Sequence, residues 1–233
     1  MRVVSLVPSV TESLLAWGVE PVACTRFCEQ PGLRHVGGTK DPDIGAIVAL
    51  APDVVVVDRE ENRRDDAEEM MRQGLKVVDL HVTSVAGAAS ETARLASIVG
   101  AVFDAPVTPD DMTVRLTAFV PIWRRPWMTI NAATYGASIL GSIGIAVTHA
   151  GAAESYPELS GDALHAMRRD TGATVVVLPT EPYAFAERHV PEIAELTGIT
   201  DVRIVDGRDL FWWGTRTGPA RQRLAGVFAD LLV

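Results

Sequence analysis

Cysteine is nearly absent from this chain of 233 residues: there are two, too few for a disulfide scaffold. Basic residues are outnumbered, 21 Lys and Arg against 30 Asp and Glu, and the net charge is −9. No basic run breaks that balance. Broad nucleic-acid binding needs clustered cations to displace counterions, so the composition argues against it. The five His show neither H-x₃-H nor H-E-x-x-H spacing, so a locally assembled zinc site of the usual kind is not expected. No G-x-S-x-G elbow or other nucleophile motif is present. Gly37-Gly38-Thr39-Lys40 looks like part of a phosphate loop. It lacks the G-x-x-x-x-G-K-S/T spacing and does not lead from strand directly to helix, which argues against NTP binding.

Charge is missing from one long stretch. Trp127 to Ala153 holds no Asp, Glu, Lys or Arg, and that length could span a bilayer. Asn131, Thr134, Ser138, Ser142, Thr148 and His149 lie inside it, however, and its apolar period changes midway. Strand–helix–strand is the better reading, and no membrane span is expected. Ahead of Val3 there is no basic n-region, apolar segment or small-residue cleavage site. The expected address is therefore cytoplasmic, or extracytoplasmic if a leader has been trimmed away.

What is present is ordinary globular composition, 48% apolar and 22% charged, which excludes disorder, collagen and coiled coil. At roughly 150 residues per domain the length allows one large domain or two small lobes. Strands are expected at Val3–Val7, Val22–Thr25, Val54–Val57 and Lys76–Leu80. Helices fall between them at Val10–Trp17, Ile44–Leu50 and Asp65–Gln73, with Gly74 as a C′ glycine. The second half repeats the order, with strands at Trp127–Asn131, Ile145–His149, Thr174–Leu178 and Val202–Val205. Its helices are expected at Tyr135–Leu140, Leu159–Arg169 and Ala184–Thr197. Strands alternating with helices of this length imply parallel βα units.

The expected fold is therefore α/β: two similar lobes with parallel sheets, residues 1–82 and 124–216, joined by a helical segment over 83–123. A final helix occupies 217–233. In the connecting segment, Val85 to Val99 recur at helical spacing, and a second helix starts near Asp110, capped by Thr108. No strand pattern is visible between Thr83 and Ile122. A long connecting helix is stiff, so little hinging is expected.

Ligands in open α/β sheets bind beyond the carboxyl ends of strands, which makes the residues after each strand the candidates. In the first lobe these include Pro8, Ser9 and Thr11, then Phe27 and Cys28, then Glu60 and Glu61. In the second they include Tyr135, Glu181 and Tyr183, with Trp213 and Arg216 from the aromatic cluster near the end of the chain. Aromatics and a few polar groups converging between two lobes suit a bulky, flat small molecule. Several have plainer readings. Ser9 with Glu12 forms S-x-x-E, a capping box, although that exposed first turn could also receive an anion. Paired carboxylates such as Glu60 and Glu61 are usually solvated. Trp212 and Trp213 should face opposite ways in extended chain, one as core and one as ligand wall. Cys24 and Cys28, extended, would lie about 13 Å apart, too far for a disulfide without a turn. Cys28 is either a soft axial ligand or a buried thiol. A metal site from distant loops, such as His149 with Glu181, also stays open.

At these residues a resemblance becomes specific. Arg2-Val3-Val4-Ser5-Leu6-Val7-Pro8-Ser9-Val10-Thr11-Glu12 resembles the start of the cobalamin-, haem- and siderophore-binding proteins of ABC importers. Val36-Gly37-Gly38-Thr39-Lys40-Asp41-Pro42 and Ala49-Leu50-Ala51-Pro52-Asp53-Val54-Val55-Val56 are similar to the motifs that follow in that family. In the second half the match rests on Glu181-Pro182-Tyr183, Asp206-Gly207 and Trp213-Gly214-Thr215-Arg216. This helical-backbone metal-receptor group, a class III type of substrate-binding protein, has two α/β lobes joined by one long helix. The cobalamin-binding branch is the most similar.

The resemblance implies non-enzymatic capture of a metal chelate, such as a corrinoid, haem or ferric siderophore, in the cleft between lobes. It implies no obligatory cofactor, and delivery to an ABC permease through acidic residues on each lobe. Here the first-lobe docking region reads Asn62-Arg63-Arg64-Asp65-Asp66, where arginines dilute the acid. With no leader or lipid-attachment Cys visible, a cytoplasmic carrier or sensor relative fits better than a standard importer subunit. Two other readings stay in view. One is direct binding of a bare divalent metal ion by Cys28, His149 and carboxylates. The other is a chelatase-like enzyme acting on a tetrapyrrole, an analogy of architecture.

Overall fold

The computed structural model describes residues 1–104 and 112–232. The chain forms two compact units. The first comprises Met1–Val82, Ala86–Pro106 and Trp213–Arg216; the second comprises Thr83–Val85, Val107–Trp212 and Thr217–Val233.

In the first unit, strand β1 (Val3–Ser5) leads into helix α1 (Pro8–Ala16), then β2 (Ala23–Cys24), α2 (Ile44–Ala49), β3 (Val54–Asp58), α3 (Arg64–Arg72), β4 (Val77–Leu80) and α4 (Val85–Val99). The sheet order is β2-β1-β3-β4, and each pairing is parallel. A parallel sheet needs a crossover between neighbouring strands, and helices supply it here on the sheet faces. The central strand β3 is buried at all five positions, as its unbroken valine run requires. Val55 and Val57 pack with Val4, Leu6, Ile47 and Met70 in one core cluster. Gly74 follows α3 with φ +84°, the left-handed conformation that glycine adopts without cost.

The second unit contains β5 (Leu116–Phe119), β6 (Trp127–Met128), α5 (Tyr135–Gly141), β7 (Ile145–Val147), β8 (Glu158–Leu159), α6 (Gly161–His165), α7 (Met167–Thr171), β9 (Val175–Pro179), α8 (Val190–Thr197), β10 (Val202–Val205), α9 (Gly207–Phe211) and α10 (Thr217–Val227). Its four-stranded sheet runs β10-β9-β5-β7, again wholly parallel. Reversed, β7-β5-β9-β10 is the order of the first sheet, so the internal repeat is real at the level of topology.

The repeat begins at a different strand from the one expected. The counterpart of β1 is Leu116–Phe119, inside the segment read as having no strand pattern. Trp127–Met128 instead pairs antiparallel with Glu158–Leu159. The reason is burial: Phe119 is fully buried in a cluster with Leu164, Met167, Val176, Ile193 and Ile199, whereas both residues of β6 keep part of their surface open. Within the segment expected to connect the lobes, α4 is the helix, and from Ala86 onward it lies in the first unit. The start expected for a second helix, at Thr108 to Asp111, lies outside the described residues, and from Met112 to Arg115 the chain is not helical. The helix expected over Leu159–Arg169 divides at Ala166 into α6 and α7, which lets Leu164 and Met167 both reach the core. The final helix starts at Thr217 and ends at Val227; Val233 is outside the described residues. Among the described residues no helix is long and apolar enough to cross a membrane.

The central role of β5 has a measurable consequence. Phe119→Ala should lower the unfolding free energy by about 3–5 kcal/mol, the cost of a large cavity in a packed core. Trp127→Ala, in the two-stranded ribbon, should cost clearly less. Urea unfolding followed by circular dichroism checks the order.

Candidate functional site

All four strands of each sheet run the same way, so their carboxyl ends lie along one edge and the loops that follow them share it. In the first unit that edge is organised by a side chain outside the expected set. Asn62 is buried, and its Oδ1 accepts the Asp58 amide at 2.9 Å. Its Nδ2 donates to Leu6 O at 3.2 Å and to Thr39 O at 3.0 Å. One amide thus ties together the loops after β1 and β3 and the Gly37-Gly38-Thr39-Lys40 turn. That turn is structural: Gly37 has φ +87°, and a Cβ there would lie 2.4 Å from Asp41 O.

Asp58 ends β3 and is 1% exposed. Its Oδ1 accepts the Glu60 amide at 2.9 Å, while Oδ2 has no hydrogen-bond partner among the described residues. Burial pushes its carboxyl up to about 7, and the neighbouring Glu61 and Glu60 charges add to the shift. Glu61 is raised as well, again by burial first. Glu60 stays exposed; its carbonyl accepts Lys40 Nζ at 2.8 Å, and its carboxylate lies 3.8 Å from His81 Nε2. Asn62, Arg63 and Arg64, the start of the expected docking segment, line a concavity of about 480 Å³ with Asp58, Arg59 and Asp79.

The remaining first-unit candidates divide by exposure. Phe27 is 50% exposed, with the Arg26 guanidinium 4.8 Å from its ring centroid. Pro8, Ser9, Thr11 and Cys28 are buried. The capping box does not form. Pro8 is the first helical residue, the N-cap is Val7, and no side chain caps the helix. Ser9 instead accepts the Ser13 hydroxyl on its carbonyl. Nor is the first turn exposed, as an anion site would need. Glu12 pairs with Arg216 at 2.5 and 2.8 Å, so the guanidinium expected to meet an anionic ligand group carries an ion pair within its own unit. Beside it, Gly214 has φ +103°, and a Cβ there would lie 2.2 Å from Ser13 Oγ.

In the second unit, Tyr183 sits in an aromatic cluster. Its ring is 5.6 Å from Trp123, 4.6 Å from Phe185 and 5.7 Å from His189. Trp123 is 42% exposed, so the cluster has an open aromatic face. Glu192 and Tyr183 both hold Arg124 in its charged form. Glu181 Oε2 accepts Trp212 Nε1 at 3.2 Å. The adjacent tryptophans do divide, with Trp213 buried and Trp212 half-buried. Tyr135 is buried and its hydroxyl lies 3.0 Å from Thr217 Oγ1. His149 Nδ1 contacts Thr148 Oγ1, and burial lowers its pKa. Among the described residues no group of three His, Cys, Asp or Glu side chains could hold a metal ion.

Asn62, as the amide that organises the first-unit edge, and Trp123 were thus missed as site-building residues. The missing signal was tertiary: only the fold brings Leu6, Thr39 and Asp58 within reach of one amide.

Residues 3–107 match the family model of periplasmic binding proteins. The fold extends over the whole chain. The periplasmic vitamin B12-binding protein BtuF of Vibrio cholerae is 15% identical, with 99% of this chain and 97% of that chain covered and a TM-score of 0.78. The periplasmic haem-binding protein HutB of Vibrio cholerae is 18% identical, with 98% of each chain covered and a TM-score of 0.77. A periplasmic haem-binding protein, BhuT, determined with two haems, is 18% identical over 100% of this chain and 99% of its own, with a TM-score of 0.78.

Two predictions follow from the first-unit edge. Asn62→Ala removes three hydrogen bonds at once and should cost about 2–4 kcal/mol in urea unfolding. Asp58 carries a pH signature. Its folded pKa near 7 lies above the ordinary carboxylate value of about 3.9, so the folded state holds the proton more tightly. Stability should therefore rise as pH falls from 7 towards 4, by about 4 kcal/mol at most from this group. Asp58→Asn should lack that component and be the more stable form at pH 8. Unfolding free energies of both proteins between pH 5 and 8 test it.

Proposed function

We propose that this chain is a non-catalytic binding protein for a metal chelate of the corrinoid, haem or ferric-siderophore class. The observation that carries the reading is the fold. Over nearly its full length it is shared with proteins whose names give vitamin B12 and haem as ligands, and residues 3–107 match the periplasmic binding protein family.

The side chains at the strand ends support it. Planar, polycyclic ligands are held largely by aromatic contact and burial, with a few polar groups fixing orientation. Phe27 in the first unit, and Tyr183 with Trp123 in the second, offer exposed aromatic surface at loops that follow strands. Glu60 and Glu181 supply polar groups on loops that follow strands β3 and β9. Pro8, Ser9, Thr11, Cys28, Tyr135 and Trp213, being buried, act from behind as packing that fixes those loops. No strained nucleophile or assembled acid–base pair is part of this reading, and binding rather than turnover is its expected behaviour.

The named relatives are periplasmic, which favours handing the ligand to an ABC permease over a cytoplasmic carrier or sensor role. The concavity rimmed by Arg63 and Arg64 would then be part of the docking surface, with acid on the partner complementing the arginines.

Titration of the purified protein with cobalamin, haem and a ferric siderophore, followed by tryptophan fluorescence and visible absorbance, tests the reading. Saturable, one-to-one change with one of them at micromolar concentration is expected. Tyr183→Ala should weaken that binding about tenfold, the worth of an aromatic contact. The absence of a saturable change with all three would overturn the proposal, as would stoichiometric zinc or manganese in the protein as purified.

A further inference from the structure

Helix α3 presents a second stripe beside the one that packs into the core. Met70 is fully buried, in the cluster with Val55 and Val57. Arg63, the N-cap residue, Ala67 and Met71 recur every four positions, a spacing that sets them one above another on a single helix face. Met71 is 51% exposed, and Arg63 is exposed as well. All three line the concavity of about 480 Å³, together with Val57, Arg59 and Arg64. A volume in that range is typical of small-molecule sites. The short side chain of Ala67 leaves the middle of the stripe open between two long ones.

The charges around that space do not cancel. Arg59 Nε lies 2.8 Å from Asp79 Oδ2, and Arg64 Nε lies 2.7 Å from Glu68 Oε1. Two of the three guanidiniums are thus matched by two carboxylates that line the same concavity. Arg63 has no ion-pair partner among the described residues. Asp58, 1% exposed, turns Oδ1 to the Glu60 amide, and burial favours its neutral form. What remains is one positive charge beside an apolar wall of Val57, Ala67 and Met71, in a protein whose net charge is −9. The wall suits an apolar body, and an aromatic one above all, because the Met71 thioether is polarisable and makes favourable contacts with rings. The guanidinium suits a carboxylate, which it can meet with two parallel hydrogen bonds.

We propose that the concavity beside α3 is a binding site for a small organic acid, in which Arg63 meets the carboxylate while Val57, Ala67 and Met71 take the apolar body. Both existing ion pairs stay in place when the acid binds, because Arg63 is the group that gains a partner. An aromatic acid of about 12 non-hydrogen atoms should bind with a Kd on the order of 1 mM. The site is independent of the chelate reading. Acid on a docking partner would compete with the small acid for the same rim.

The probe is phenylbutyrate, with phenylbutanol as its uncharged counterpart. The chain has six methionines, and methionine methyl labelling reports each of them in a proton–carbon correlation spectrum of the full-length protein. Saturable movement of the Met71 methyl is expected with the acid, while Met128 and Met167 of the second unit stay in place. The alcohol should bind at least about fivefold more weakly. Arg63→Gln should lower the affinity for the acid to that for the alcohol. Arg72→Gln, whose guanidinium pairs with Glu69 and does not line the concavity, should leave it unchanged. A native methyl spectrum before titration shows that each variant is folded. The proposal fails if Met71 does not respond to acid up to about 10 mM, ten times the expected Kd. It fails equally if acid and alcohol bind alike, if folded Arg63→Gln binds the acid as wild type does, or if methyls in both units move together.

Discussion

Parallel strands govern this molecule. A strand that must run in the same direction as its neighbour cannot be reached by a hairpin, so each connection crosses a face of the sheet as a helix. Two results follow for both sheets. The central strands β3 and β9 are covered on both faces and carry unbroken apolar runs, Val54-Val55-Val56-Val57 and Val175-Val176-Val177-Leu178, all buried. The strands also all finish on one edge, where helix starts, short loops and polar side chains are crowded together. Whatever chemistry the fold supports has to be built from those loops, because the rest of each unit is committed to packing.

Crowding at that edge is resolved differently in the two units. In the first it is polar: one buried amide, Asn62, satisfies backbone groups from three loops. Asp58 next to it keeps a buried oxygen without a partner among the described residues, and a lone buried carboxylate oxygen is most easily tolerated when the group is neutral. In the second unit the edge is aromatic, with Tyr183, Phe185, Trp123 and His189 in mutual contact. The repeat is therefore strict in topology and loose in chemistry. Duplicated sheets share their order because backbone hydrogen bonding sets it, while strand-end loops are free to diverge.

That contrast also explains what could be read from the chain alone. Buried parallel strands announce themselves, and β3, β9 and β10 were found within a residue or so of their positions. The glycines after α3 and at the end of α8 marked helix ends for a local conformational reason. Strand β5 was missed because Leu116-Thr117-Ala118-Phe119 has neither strict alternation nor a continuous β-branched run; only its place between β9 and β7 makes it central. Ser9 and Glu12 have the spacing of a capping box, yet Glu12 is drawn to Arg216, more than two hundred residues away in sequence. A local pattern could not foresee a partner at that distance. The candidate loops were legible because they follow strands; which of their side chains are open and which buried was not.

The segment Trp213–Arg216 belongs to the first unit although it comes near the end of the chain. Gly214 meets Ser13 too closely for any side chain, and Arg216 neutralises Glu12. About a hundred residues separate this segment from the rest of its unit, which at translation speeds of about 5–20 residues per second is a delay of roughly 5–20 s. On the ribosome, then, the lobe begun first is completed only as the chain nears its end. Its opening helix must wait with an unpaired carboxylate until almost the whole polypeptide has been synthesised.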